Sequence, residues 1–173
     1  MLKRIEEIEE ILESPLLEFS SENQFWPKLL ETLCKTFDCG WGTYWQVNGL
    51  ALSSAAIWSS AGINAQELSI DTRSRSLSLS QGNAGHVWRS RKPIWTTNIA
   101  LDMCLPRSTE AESADLHGGI WFAVKTDLVV YGVVELLGKN LNPAGEEPLL
   151  AIEKMGLKLG KAIFESEKSQ NKS

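Results

Sequence analysis

Apolar positions are densest in residues 118–138, where two apolar runs flank the polar segment 125–127. Both runs are rich in Ile, Val, Phe, Trp and Tyr, which are typical of β-strands, so the pattern predicts a β-hairpin. Both the odd-numbered and the even-numbered positions of residues 129–137 are mostly apolar, which predicts strands that are covered on both faces. Gly132, the polar segment and the β-branched residues argue against the alternative of one buried helix.

Apolar residues also recur at three- and four-residue spacing near both ends of the chain, which predicts amphipathic helices. The first stripe starts at Leu2 among Glu and Lys residues and is close to a short coiled-coil seam. A second helix carries a wide apolar face from Phe25 and should end at residues 38–40, with Ser21 and Gln24 at capping-box spacing before it. A final helix is expected over residues 149–163.

Shorter signals predict the elements in between. Residues 41–47 alternate like a strand, Asn48-Gly49 is a strong turn signal, and residues 50–58 are interpreted as the returning strand. The remaining predictions are a weak helix or irregular crossover at 65–75, a helix at 84–90, a strand at 94–97, and a helix within 99–116 where Thr109 and Glu112 have capping-box spacing.

This order predicts an α+β fold with a mostly antiparallel sheet of about five or six strands. The N- and C-terminal helices should cover one face, and loop and helix segments the other. The expected organisation is an N-terminal helix (1–20) for dimerisation or linkage, one globular domain (21–166) and a polar tail (167–173). With 173 residues, the chain is long enough for a real core.

Composition narrows the class of protein. A hydrophobic content of 43% and a charged content of 23% are those of a soluble globular protein, and neither a signal peptide nor a membrane span is visible, so we expect a cytoplasmic location. The net charge of −5 argues against nucleic-acid and anionic-membrane partners. Cys34, Cys39 and Cys104 form an odd set without a Cys-x-x-Cys pair, which argues against a disulfide framework or a structural zinc site.

Three segments carry a resemblance to a known family, namely Gly82-x-x-Gly85-x-Val87-Trp88-x-Ser90-x-Lys92-Pro93-Ile94-Trp95, then Leu105-Pro106-Arg107, then Gly132-Val133-Val134-Glu135. Over about residues 21–165 the sequence resembles a GAF domain, and it is most similar to those of bacterial and cyanobacterial sensor kinases and related signalling proteins. The resemblance implies a pocket on one sheet face, roofed by residues 82–90 and 105–116. It also implies that the first and last helices pack on the opposite face and form a dimer interface that relays signals.

The resemblance gives candidate site residues. Aromatic side chains suit a flat organic ligand, although tryptophans in strands are often core residues. Arg107 precedes a predicted helix start and could hold an anion there, or could pair with Glu110 or Asp102. His86 and His117 could line the pocket or bind haem, or be ordinary surface histidines. The expected ligand-binding residues are Trp88, Trp95, Arg107, Trp121, His86 and Cys104, and the expected dimer-interface residues are Ile5, Ile8, Leu12, Ile152, Met155, Leu159 and Ile163.

The residues identify no cofactor. Residues 108–117 lack the adjacent Cys-His pair of bilin-binding members, and Cys104 resembles the second cysteine motif of some photoreceptors only faintly. The Asn-Lys-x-x-Phe signature of cyclic-nucleotide-binding members is absent. Free-methionine sulfoxide reductases share the fold and use several cysteines near the pocket, whereas Cys34 and Cys39 are far in sequence from Cys104. No acid–base or nucleophile constellation is visible, so we do not expect an enzyme.

Two hypotheses remain. The first is a dimeric sensory module that binds a small molecule and acts with a histidine kinase or another signalling protein as its partner. The second is a dimerisation or protein-interaction module whose pocket is filled. A bilin or haem chromoprotein is a third, less favoured reading.

Overall fold

The computed structural model describes residues 2–13, 22–101 and 107–172. The α+β prediction is confirmed, with six helices and six strands in the described part of the chain. In chain order they are α1 (Leu2–Glu13), α2 (Glu22–Phe37), β1 (Trp41–Asn48), β2 (Ala51–Ser59), α3 (Gln66–Ser74), β3 (Ser76–Ser78), α4 (Gly82–Ser90), β4 (Ile94–Thr96), α5 (Ser108–Ser113), β5 (Gly118–Lys125), β6 (Val130–Gly138) and α6 (Glu146–Gln170).

The strands form one sheet in the order β3-β2-β1-β6-β5-β4, and every neighbouring pair is antiparallel. The central position of β6 explains its apolar sequence, because both of its faces are covered. The predicted hairpin is confirmed as β5–β6, and β5 is buried along its whole length. The predicted turn at residues 48–49 is also present, and Gly49 adopts a positive φ of 62° there, which glycine does without strain.

Helices cover both faces of the sheet. On one face α6 lies across β5, α2 packs on β1 and β2, and α1 packs against α6 and α2. On the other face α4 contacts β5 and β6, and α3 packs on β2 and against α5. The sequence predicts loop and helix segments over this second face, and the three short helices α3, α4 and α5 lie there.

Helix α6 approaches the sheet unusually closely. A Cβ atom on Gly156 would overlap the carbonyl oxygen of Ala123, and one on Gly160 would overlap the backbone of Lys125. Only glycine lets the helix backbone rest directly on a strand at these two points. The position of β5 therefore fixes the position of α6.

Several local expectations need correction. Helix α5 begins at Ser108 with Arg107 at its N-cap and no side-chain cap, so the capping box at Thr109 is wrong. No sequence pattern predicts strand β3. The expected polar tail is helical up to Gln170, while the Ser21 cap lies outside the described residues.

Candidate functional site

A buried ion pair lies on the sheet face that α3, α4 and α5 cover. The Nη2 atom of Arg107 donates to Oε1 and Oε2 of Glu135 at 2.7 and 2.6 Å, and Nη1 donates to Thr72 Oγ1 at 2.7 Å. Both charged side chains are only 1% exposed. Because two charges out of water need each other and further hydrogen bonds, this group can exist here only as a connected network.

The sheet register brings the other members of this network together. Trp121 on β5 stands directly opposite Glu135 on β6, and its indole Nε1 donates to Glu135 Oε2 at 2.8 Å. The guanidinium carbon of Arg107 lies 5.0 Å from the centroid of the Trp45 ring, within the range of a cation–π contact. The N-terminal end of α5 therefore supplies the cation, and the centre of the sheet supplies the carboxylate and both indoles.

Unpaired polar atoms surround this ion pair. Trp41 Nε1, Thr43 Oγ1, Trp45 Nε1 and Arg107 Nε are all buried and have no hydrogen-bond partner among the described residues. Residues 41, 43 and 45 alternate along β1, so their side chains share the face on which Glu135 lies, and Thr43 is its cross-strand neighbour. Buried polar atoms are nearly always paired, so four orphans on one face require an explanation.

A second ion pair lies beside the first, at the C-terminal end of helix α3. Arg75 Nε and Nη2 each donate to a carboxylate oxygen of Asp71 at 2.8 Å. The hydrogen bond from Arg75 lowers the pKa of Asp71, and the nearby charge of Arg107 also contributes. The α3 helix that carries Thr72 therefore lies within the electrostatic reach of the buried guanidinium. We call the group formed by Thr72, Arg107, Trp121, Glu135 and the β1 residues 41, 43 and 45 the polar centre.

The structure unites some of the expected ligand-binding residues and separates others. Arg107 and Trp121 meet in the polar centre. Trp88 is half-buried and packs against the hydrophobic cluster that contains Trp121. His86 is exposed on α4. Trp95 lies on the opposite face, where it packs edge-on against Phe37 and donates to the carbonyl of Asn142 at 2.9 Å. Cys104 lies outside the described residues.

Sequence reasoning missed Glu135 as a member of the site. It is the one acidic residue of an otherwise apolar strand, β6, and a charge at such a position must find a buried partner. That signal is visible in the sequence. Thr72 and the indoles of Trp41 and Trp45 carry no comparable signal, because threonine and tryptophan are common in ordinary cores.

The two described cysteines lie on the opposite face of the sheet from the polar centre. Cys34 and Cys39 are buried thiols in the hydrophobic cluster on the helix α2–α6 face. Burial strongly raises the pKa of the Cys34 thiol, with a smaller contribution from Cys39, which disfavours the reactive thiolate. Among the described residues there is no group of His, Cys, Asp and Glu that could hold a metal ion.

Most of the expected dimer-interface residues are buried in contacts within the chain itself. Ile8, Ile152, Met155 and Leu159 are 0% exposed and belong to the core between the helices and the sheet. The other three, Ile5, Leu12 and Ile163, are half-buried. An interface between two copies would therefore need different residues from most of those expected.

Comparisons with known proteins place this fold. No protein-family model and no curated protein match the sequence. Among solved structures, the GAF domain of a phosphoenolpyruvate-protein phosphotransferase from Coxiella burnetii has a TM-score of 0.71 and 16% identity, over 98% of this chain and 96% of that one. The nlh2 GAF domain of A. aeolicus in an inactive state has a TM-score of 0.67 and 16% identity, over 94% and 96%.

An enzyme shares the same architecture. Free methionine-R-sulfoxide reductase from Neisseria meningitidis, in complex with its substrate, has a TM-score of 0.71 and 14% identity, over 91% of this chain and 87% of that one. This chain therefore has the fold of GAF domains, as the sequence resemblance implied. Identities this low show the fold and no particular activity. No helix in the described part of the chain is long and apolar enough to span a membrane.

Proposed function

We propose that this protein is a GAF-type sensory or regulatory module that binds a small molecule at the polar centre. The observation that supports the proposal is the set of four buried polar atoms without partners on one sheet face, counted among the described residues. Each unpaired buried polar atom costs about 1–3 kcal/mol, which a ligand that accepts these hydrogen bonds would recover. A purely structural core would satisfy these atoms or replace them with apolar ones.

The donors define the chemistry of the ligand. Indole Nε1 and guanidinium Nε donate and cannot accept, so the ligand must present acceptor oxygen or nitrogen atoms. Glu135 already balances the charge of Arg107, which favours a neutral or dipolar molecule over a strong anion. The related reductase was solved with its substrate, and a sulfoxide is one acceptor group of this kind.

The proposed role is binding and regulation rather than catalysis. Similar structures include the GAF domains of two phosphoenolpyruvate-protein phosphotransferases and a putative GAF sensor protein from Burkholderia vietnamiensis. Neither described cysteine lies on the face of the polar centre, and burial raises the pKa of Cys34. The output would be carried by a second protein such as a histidine kinase.

Contacts across the sheet offer a route for the signal. Trp121 on β5 is a member of the polar centre, and the next residues of the same strand, up to Lys125, carry the carbonyl oxygens on which Gly156 and Gly160 of α6 rest. A ligand that shifts β5 must therefore shift α6, because backbone meets backbone there. Helix α1 packs on α6 and would move with it.

The dimer that we propose uses the outer side of α6. Leu150, Leu157 and Phe164 are 55%, 37% and 41% exposed and recur every seven residues. A seven-residue apolar repeat on one helix can pair with the same repeat of a second copy. This seam replaces the buried residues that the sequence pattern suggests.

Binding should be visible in the indole N–H signals of Trp41 and Trp45 in a two-dimensional ¹H–¹⁵N spectrum. We expect L-methionine-R-sulfoxide, or a metabolite from a small-molecule cell extract, to shift these two signals saturably. Methionine lacks the sulfoxide oxygen and cannot accept a hydrogen bond from the charged Arg107 side chain. Because such a bond contributes about 1.5–3 kcal/mol, methionine should bind at least about tenfold more weakly.

The assignments come from Trp41→Phe and Trp45→Phe variants. If neither the sulfoxide nor any extract component moves these signals, the binding function is wrong, and the non-binding interaction module becomes the better description. The same spectra identify a plugged site, because indole protons in a dry, filled core would also exchange very slowly with solvent.

The dimer gives a separate prediction. Leu157→Glu places a charge on the proposed seam and should convert a dimer into a monomer, measured as mass by light scattering. Ile70→Glu changes an equally apolar residue that is 63% exposed on α3 and should leave the mass unchanged. A monomeric wild-type protein, or a dimeric Leu157→Glu variant, would contradict the proposed interface.

A further inference from the structure

A recess lies on the opposite face of the sheet from the polar centre, where α2 begins and α6 ends. Its volume is about 470 Å³, within the range of small-molecule sites. Two tyrosines and one tryptophan stand in its wall beside a carboxylate. The principal lining residues are Trp26, Tyr44, Ala55, Tyr131, Ile163 and Glu167. We call it the aromatic groove.

Two β-bulges shape this groove. In the β1–β2 pair, Tyr44 faces Ala56 and the next residue faces Ser54, so Ala55 is left without a partner. In the β5–β6 pair, Tyr131 is skipped in the same way between Val130 and Gly132. Bulges turn side chains away from their regular direction and are frequent beside functional sites. Both bulged residues line the groove, one on each side of β1.

The aromatic rings are held in fixed positions. The Tyr44 ring lies against Gly132, where any Cβ would overlap it. The indole of Trp26 stacks on its other side, with ring centroids 3.5 Å apart and an angle of 7° between the planes. One indole face thus covers Tyr44, and the outer indole face and Tyr131 remain available to a ligand.

The groove is also electronegative. Glu167 is the only charged residue that lines it, and its carboxylate has no ion-pair partner in the described part of the chain. Burial raises the pKa of Tyr44 and of Tyr131, and the negative charge of Glu167 raises both further. The carboxylate therefore acts on both phenols, and its field reaches across the groove.

We propose that the aromatic groove binds a small organic cation that carries a substituted ammonium group. Aromatic faces combined with a carboxylate are the arrangement that recognises quaternary ammonium ions, through cation–π attraction and charge pairing. Such a ligand meets the exposed indole face, the Tyr131 ring and Glu167 together. The site is separate from the polar centre and does not depend on the function proposed for it.

Choline is the probe that tests this site. We expect it to shift the indole N–H signal of Trp26 saturably in the ¹H–¹⁵N spectrum of the full chain. The neutral isostere 3,3-dimethylbutan-1-ol has the same shape without the charge and should bind at least about tenfold more weakly, since a desolvated cation–π contact is worth about 2 kcal/mol. Added salt should weaken choline binding, because the charge pair with Glu167 is screened.

Two variants on α6 separate the site from general surface charge. Glu167→Gln should weaken choline binding roughly fivefold to tenfold. Glu165→Gln removes an exposed carboxylate that does not line the groove and should leave the affinity unchanged. The proposal is overturned if choline does not shift the Trp26 signal, if the isostere binds as well as choline, or if Glu165→Gln and Glu167→Gln have equal effects.

Discussion

Replacing Glu135 with Gln is expected to lower the free energy of unfolding by about 3–5 kcal/mol, because it leaves the buried charge of Arg107 without its counter-ion. The change is nearly isosteric, so the loss reports charge rather than packing. Both side chains are only 1% exposed, and water cannot replace the lost carboxylate. Urea unfolding followed by tryptophan fluorescence measures the change.

The double variant Arg107→Met with Glu135→Met is the companion test. Removing both charges takes away the uncompensated charge, so the double variant should be more stable than the sum of the single losses predicts. The partly exposed pair of Asp71 and Arg75, whose side chains are 25% and 27% exposed, is the matched control, and Asp71→Asn should cost less than about 1 kcal/mol. A Glu135→Gln protein as stable as the Asp71→Asn protein would show that the polar centre is not a buried ion pair.

Replacing Gly160 with Ala is expected to destabilise the protein, although alanine is the better helix former by about 1 kcal/mol. The new methyl group would overlap the backbone of Lys125, which cannot move without displacing β5. Overpacking of this kind costs about 1–3 kcal/mol or more, so the net effect is a loss. Thermal and urea unfolding both measure it.

Gly145→Ala is the matched control for this substitution. Gly145 precedes the same helix with a φ of −81°, and the methyl group of an alanine there would have no other atom within 4 Å. This substitution should cost less than about 1 kcal/mol, because Gly145 is the N-cap of the helix and alanine is less favourable there than glycine. If Gly160→Ala were as stable as Gly145→Ala, α6 would not rest on β5 in the way that the proposed relay requires.

The sequence predicts the central fold well because its strongest signals are local. The apolar run of β6 and the Asn48-Gly49 turn each depend on neighbouring residues, and both are confirmed. Strand β3 is only three residues long and forms by pairing with residues 51–53, so no local sequence pattern predicts it. The helices α3 and α5 are short and lie where the sequence shows only weak periodicity.

The candidate site is predictable only in part, because its contacts cross long stretches of chain. The sequence singles out Arg107, but the partner of Arg107 is 28 residues away on a strand that carries no periodic signal for that pairing. The sequence does not show on which face Trp95 lies, because Ile94 and Trp95 are both apolar and the strand has only three residues; the structure places Trp95 on the face opposite the polar centre.

The dimer residues illustrate a related limit. An apolar stripe such as that of Ile152 and Leu159 shows that one side of a helix is buried. It does not show whether the chain's own sheet or a second copy buries it. Here the sheet does, and the exposed seam at Leu157 is visible only once the buried side is known.

The outer strands of the sheet determine how this protein can associate. Strands β3 and β4 are its two borders, and each has only three residues. An extended peptide that added to such a short edge strand would form few main-chain hydrogen bonds. Edge-to-edge pairing with another sheet would be equally short. Recognition at these two borders must therefore rely on side chains, which makes it more sensitive to point substitutions than strand addition would be.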